Sequence, residues 1–149
     1  GVEQYKLLEL IPKAVNVEIG ERIYIGSGER EKIERVKRRI SYHELTHGAV
    51  NELPFVIEKI VKEREQEYVE FYNKSISITP KLHMLHLLPG IGKKLMWEII
   101  EERNKKPFDN FADISARIKS IPHPEKMILN RILEELQDQT VKYHLFTSR

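Results

Sequence analysis

Two stretches of the chain hold residues whose types and spacing could do chemistry. The first, His43-Glu44-Leu45-Thr46-His47, follows the order H-E-x-x-H. On a continuous helix, two histidines four apart share a face and can meet one zinc ion, while the glutamate activates a water. A zinc-dependent hydrolase would use His43 and His47 in that way. Gly48 follows at once and weakens a continuous helix. Ser41 with Glu44 reads equally well as a capping box, in which the carboxylate serves the backbone. A third metal ligand would have to come from elsewhere, with Glu63, Glu65 and Glu67 the near candidates. The second stretch is Leu88-Pro89-Gly90-Ile91-Gly92-Lys93-Lys94. Leu82, Leu85 and Leu88 keep helical spacing before it, and Leu95, Ile99 and Ile100 keep it afterwards. Only Gly90-Ile91-Gly92 is left to turn the chain. The N–H groups of Gly90, Ile91, Gly92, Lys93 and Lys94 then fall at a helix start, where unpaired amides and partial positive charge suit an anion. Lys93 and Lys94 add full charges there. The bland alternative is a helical hairpin that only packs.

The turn resembles a helix-hairpin-helix motif, which implies a grip on a nucleic-acid phosphate without readout of base sequence. Thr79-Pro80 reads as the start of its first helix, with Thr79 as cap and Pro80 in the first turn. Lys105-Lys106-Pro107 ends the second helix. Asn110 can cap a third, with Asp113 reaching back, and Phe111, Ile114 and Ile118 form its apolar face. A fourth helix carries Met127, Ile128, Ile132, Leu133 and Leu136. The unit therefore repeats, with Leu88–Lys93 aligned on Ile121-Pro122-His123-Pro124-Glu125-Lys126. In the second copy both glycines are gone, Pro124 has no N–H to give, and Glu125 would repel a phosphate. That copy should pack rather than bind, with Lys126 and Arg131 placed to touch a backbone from the side.

The preceding half must supply the rest of a binding surface. Residues 3–11 read as a strand, and Val15, Val17, Ile19, Ile23 and Ile25 alternate as a half-buried strand does. Residues 31–42 fit either period, and we take them as a strand. From 30 to 39 there are six cations against two anions. As a strand, Arg35, Lys37 and Arg39 would share one face, with Arg38 beside them. Such a face tracks a nucleic-acid backbone on small barrels, or it merely protects an edge from pairing with another chain. Residues 47–65 read as helix, with Pro54 a kink or a new start, and Tyr68, Val69, Phe71 and Tyr72 continue an apolar stripe suited to a core. Val141–Phe146 alternates like a strand and should return to the N-terminal sheet. His83 and His86, three apart on one helix face, read as packed or solvated rather than as ligands.

Composition bounds these readings. The 149 residues suffice for one domain or two small ones, and the net charge is only +2, so an anion-binding surface must come from local clustering. With no cysteine, disulfides and thiol chemistry are excluded, and a reducing cytoplasm is compatible. No apolar run approaches a membrane span and no signal peptide is evident, so a cytoplasmic protein is expected. The abundance of Lys, Glu and Arg would also suit a thermophile.

From about Tyr5 to Phe146 the chain resembles an archaeal family, domain of unknown function 655. The residues that carry this are Glu21–Gly26, Val36–Arg39, Leu82-His83-Met84, Leu87–Lys94 and Arg131–Leu136. The resemblance implies an OB-type barrel joined to paired helix-hairpin-helix units and a role in binding nucleic acid, RNA before DNA. It also implies a segment ahead of Gly1, and with it a missing first strand. The expected architecture is therefore α+β: a partial OB-like β-barrel (1–45 with 139–149), a helical connector (46–78) and a tandem helix-hairpin-helix unit packed beside the barrel (79–138). The expected function is non-catalytic, sequence-independent binding of an RNA or DNA backbone, with no cofactor. A protein partner in a ribonucleoprotein, or an adaptor role without nucleic acid, is the other expectation.

Overall fold

A computed structural model describes residues 1–148; Arg149, the last residue of the expected returning segment, lies outside the described residues. The fold is mixed α and β. Two antiparallel two-stranded sheets, β1 (Leu8–Pro12) with β2 (Ile33–Arg39) and β3 (Ser77–Thr79) with β4 (Leu82–His83), are joined by α1 (His47–Glu63), α2 (Glu65–Lys74), α3 (Lys93–Lys105), α4 (Phe111–Arg117) and α5 (Pro124–Gln137). The chain divides into two compact units, residues 1–56 with 135–149, and residues 57–134. Among the described residues no helix is long and apolar enough to cross a membrane.

In the first unit, β1 and β2 pair, but the strands do not close into a barrel. The reason is the scarcity of inward apolar side chains. Tyr5, Ile33 and Leu136 are the buried hydrophobics among its described residues, against nineteen in the second unit. The alternation at 15–25 does not make a strand. Val15 is 49% and Ile19 84% exposed, because no second sheet offers a face to cover them. The segment is a long loop instead. Its base is closed by Lys13 N donating to Lys32 O at 2.7 Å and by the Lys32–Glu21 ion pair, and Tyr24 Oη accepts from Gly28 N at 3.2 Å. The first strand begins only at Leu8, because Tyr5 sits at φ 55° in a turn closed by Lys6 N to Gly1 O.

Residues 141–146 are not a strand either, although the tail does return to the N-terminal residues. Ser148 N donates to Gln4 O at 3.3 Å. What holds the tail is Glu135, a fully buried carboxylate on α5. It accepts hydrogen bonds from Leu145 N (2.9 Å), Phe146 N (3.2 Å), Thr147 N (3.0 Å) and the Thr147 hydroxyl (3.0 Å). A buried charge is tolerated when donors satisfy it this fully.

The second unit holds most of the core. Ile57, Val61, Val69, Tyr72, Leu85, Leu88, Ile99, Ile114, Ile128 and Ile132 are all buried. Pro54 lies inside α1, and the chain breaks at Arg64 instead, where α1 gives way to α2. Tyr68, Val69 and Tyr72 of α2 point inward. Tyr72 Oη donates to Pro124 O at 2.8 Å, which ties α2 to the start of α5, and burial pushes its phenol pKa well above the ordinary range. Asn110 caps α4 as its position suggests, its Oδ1 accepting from Asp113 N at 2.7 Å. Asp113 reaches back to Asp109 N at 3.0 Å rather than to the cap residue.

Tyr72→Phe should lower stability by about 1–2 kcal/mol, because it leaves the Pro124 carbonyl without its donor. Urea unfolding followed by circular dichroism measures this. Glu135→Gln should cost more, about 2–3 kcal/mol, since an amide presents N–H groups where four donors already converge.

Candidate functional site

The Leu88–Lys94 stretch does begin a helix. The segment before it differs from the expected helix at Thr79-Pro80. Ser77–Thr79 and Leu82–His83 form a small hairpin, and a single 3-10 turn, Met84–Leu87, leads into the glycines. Pro80 lies in the tip of the hairpin rather than in a helical first turn, because Thr79 pairs with Leu82. The 3-10 turn is held at its start by two imidazoles. Leu85 N donates to His83 Nδ1 at 3.0 Å and His83 N donates to His86 Nδ1 at 3.3 Å. It is held at its end by Arg131, whose guanidinium donates to Leu87 O at 3.3 Å.

From there the backbone turns at Gly90, which has φ +92°. This is the one position in the turn that needs glycine; an L-residue costs about 1–2 kcal/mol there. Ile91 N donates to Leu88 O at 3.2 Å, and the Ile91 side chain is buried. The Ile91 amide is therefore consumed by the turn, which corrects the expectation that it would be offered to a ligand. Gly92 is the N-cap of α3, extended at φ −90° and ψ −174°, and carries no side chain to satisfy the helix start. Its carbonyl accepts the first helical bond, from Met96 N at 3.0 Å. The amides of Lys93, Lys94 and Leu95 are thus the uncapped donors of α3. Gly90, Gly92, Lys93 and Lys94 are exposed, and among the described residues neither lysine takes part in an ion pair.

The second turn follows the first with a different register from the sequence alignment. Ile121 N donates to Ile118 O at 3.0 Å, as Ile91 N does to Leu88 O, so Ile118–Ile121 matches Leu88–Ile91. One extra residue then precedes α5, which opens on Pro124. A proline in the first position has no N–H and removes one donor from that helix start. The beginning of α5 flanks the first turn: the terminal methyl of Met127 lies 3.7 Å from where a Cβ on Gly90 would stand. Lys126 is exposed beside it. Arg131 is not available as a side contact. It is 5% exposed and engaged with Leu87 O and Glu134, so its place is structural.

The basic strand is largely neutralised. Val36 opposes Leu10 and Arg38 opposes Glu9, leaving Lys37 as a bulge. Lys37 Nζ (3.5 Å) and Arg38 Nε (2.9 Å) therefore reach the same Glu9 carboxylate, which strict alternation would forbid. Arg35, Lys37 and Arg39 do not form one free face. Arg38 also pairs with Glu44 at 3.0 Å, and these carboxylates raise its pKa. Arg39 donates to Ser148 O at 2.7 Å. Arg35 is exposed and stands clear of these pairs.

The histidine pattern does not have the geometry its spacing suggests. His43 lies in a 3-10 turn, Tyr42–Glu44, and His47 opens α1, with Leu45 extended between them at ψ 143°. The two imidazoles share no continuous helix. The Glu44 carboxylate accepts from Ser41 N at 2.8 Å and pairs with Arg38, and these partners, the Ser41 amide foremost, lower its pKa. Its role is that of the capping box. Among the described residues no three His, Asp or Glu side chains gather as a metal site requires.

Sequence reasoning passed over one residue of this region. Trp97, a turn into α3, is 56% exposed. It was legible as the fourth residue after Lys93, off the stripe set by Met96 and Ile99.

The chain belongs to the DUF655 family: the model of that family, described as a protein of unknown function, matches residues 1–148. An uncharacterised protein of Methanocaldococcus jannaschii is 47% identical over 148 residues, covering 98% of this chain and 67% of that protein. A crystal structure of a DUF655 protein from Archaeoglobus fulgidus superposes with a TM-score of 0.94 at 48% identity, over 99% of this chain and 83% of the other.

The imidazole at the entrance to the turn makes a pH prediction. Burial first, then the charges of Arg103 and His86, hold the His83 pKa below its ordinary 6.5. The unfolded chain therefore binds this proton more readily, so the stability is present above pH 6.5 and is lost as pH falls through the folded value. Thermal unfolding between about pH 7 and about pH 5 should show a falling Tm. His83→Asn, whose Oδ1 can accept from Leu85 N without titrating, should flatten that part of the slope.

Proposed function

We propose that the protein binds a nucleic-acid backbone, without reading sequence, at the start of α3. In this reading the segment Leu82–Lys105 is a helix-hairpin-helix element whose first helix has shrunk to one 3-10 turn. The observation that carries it is the run of uncapped amides at Lys93, Lys94 and Leu95, beside an exposed Gly92 and two lysines free of ion pairs. A helix start left without a side-chain cap favours an anion, and phosphate oxygens suit amide donors and ammonium groups together. Where Lys32, Lys37, Arg38 and Arg131 are joined to carboxylates or carbonyls, Lys93 and Lys94 are left to an external partner. Lys126 provides a further charge near the turn, and Arg35 a separate one on β2. RNA is favoured over DNA, and the role is non-catalytic.

The test is Gly92→Asp. A Cβ at Gly92 meets nothing within 4 Å, and its backbone is extended, so the substitution is tolerated. An Asp N-cap would bond the free amides itself and raise stability by about a few tenths of a kcal/mol. It would also repel phosphate. Fluorescence anisotropy titration with single-stranded RNA, duplex RNA and duplex DNA should show binding reduced roughly ten-fold or more, a change of about 1.4 kcal/mol, with an unchanged or higher Tm. Binding undiminished by Gly92→Asp removes the assignment. Replacing Lys93 and Lys94 together by Ala should flatten log K against log salt by about 1.4 on single strands, about 0.7 for each phosphate no longer neutralised.

A further inference from the structure

The chain has one tryptophan, and it is the large apolar side chain that α3 leaves in water: Trp97 is 56% exposed, while Met96 and Ile99 beside it are buried. Its indole N–H has no hydrogen bond, and its ring meets no other ring or cation among the described residues. Trp97 follows Lys93 by four positions and Lys94 by three, which places it on the face of both lysines, about 6 Å along the axis from the helix start. Side chains on a helix lean toward its N-terminus, which directs a residue at this position toward the turn that bears the free amides. Glu101, exposed one turn further on, repels a polyanion on the far side. Within α3 the two lysines free of ion pairs therefore stand on the N-terminal side of the ring, with Glu98 next to it in the chain and Glu101 beyond it.

We infer that Trp97 is a stacking platform for one unpaired base of a single-stranded nucleic acid. This rests on the phosphate reading above and specifies its substrate class. A strand whose phosphate sits on the amides of α3 has its next base within reach of a ring one helical turn away. A duplex presents only base edges in its grooves, so the ring gains nothing from it, whereas an unpaired base offers a face. Stacking of this kind tolerates every base, in keeping with an interface that reads no sequence.

Because Trp97 is the sole tryptophan, its emission reports on this site alone. Three probes separate the contributions: an oligouridylate of about ten nucleotides, an abasic oligonucleotide of the same length, and a duplex. The oligouridylate should quench Trp97 emission at saturation, while the abasic strand and the duplex, measured by anisotropy, bind without quenching. Trp97→Ala should weaken the oligouridylate roughly ten-fold and leave the abasic strand unchanged, and Trp97→Phe should recover part of the loss. If oligouridylate binds without quenching, or equally well to Trp97→Ala, the stacking role falls while the phosphate site stands. If none of the three probes binds, the phosphate reading falls and the stacking inference with it.

Discussion

The last carbonyls of a helix have no partner within it, and a unit built from short helices has many such ends. In residues 57–134 guanidinium groups meet this need. Arg103 donates to Tyr72 O at 3.0 Å and Ser75 O at 2.8 Å, where α2 stops. Arg117 donates to Lys106 O at 2.7 Å and to Glu102 O, where α3 stops. Arg131 takes Leu87 O at the end of the 3-10 turn. A planar fork of donors that keeps its charge when half-buried suits this work, and lysine would not substitute well. Burial lowers the pKa of Arg103 from a starting value so high that it stays ionised. These three side chains tie the ends of α2, α3 and the 3-10 turn to neighbouring elements, and Arg131 anchors the entrance to the glycine turn at 88–92.

The same demand decides which positive charges remain for a ligand. The sequence shows a concentration of Lys and Arg at 30–39, yet Glu9, on the neighbouring strand, takes Lys37 and Arg38, and Glu44 takes Arg38 again. Charge counted along the chain misses a carboxylate that only sheet pairing brings across. Lys93 and Lys94 stand at a helix start, where no carbonyl is orphaned, and among the described residues neither forms an ion pair, although Glu98 lies one turn from Lys94. Local density of charge and availability of charge thus point to different places.

Helix-period patterns were the most legible part of the chain. The core faces of α4 and α5, the Asn110 cap and the end of α3 at Lys105 all follow from residues a few positions apart. The Ser41–Glu44 capping box was legible for the same reason. What failed depended on distant partners. Val15, Val17 and Ile19 have the strand period but nothing to cover them. Thr79 has the chemistry of a helix cap, but the strand pairing of Ser77–Thr79 with Leu82–His83 won. The bulge at Lys37 and the residue inserted before Pro124 each shift a register by one, which no local signal marks. In the candidate site the helix start and the lysines were readable. The capture of the Ile91 amide by Leu88 O, and of Arg131 by Leu87 O, were not, since both are matters of three-dimensional closure.

Glu135 gathers three consecutive amides of the tail, and Ser148 then reaches Gln4 and Arg39. The first unit is thus closed by residues far apart along the chain, whereas residues 57–134 are contiguous. During synthesis the contiguous part can acquire its structure while translation is still under way. The loop and strands of the first unit come before it in the chain while their partners at 145–148 come after it, so these long-range contacts can form only once residues 145–148 have been made.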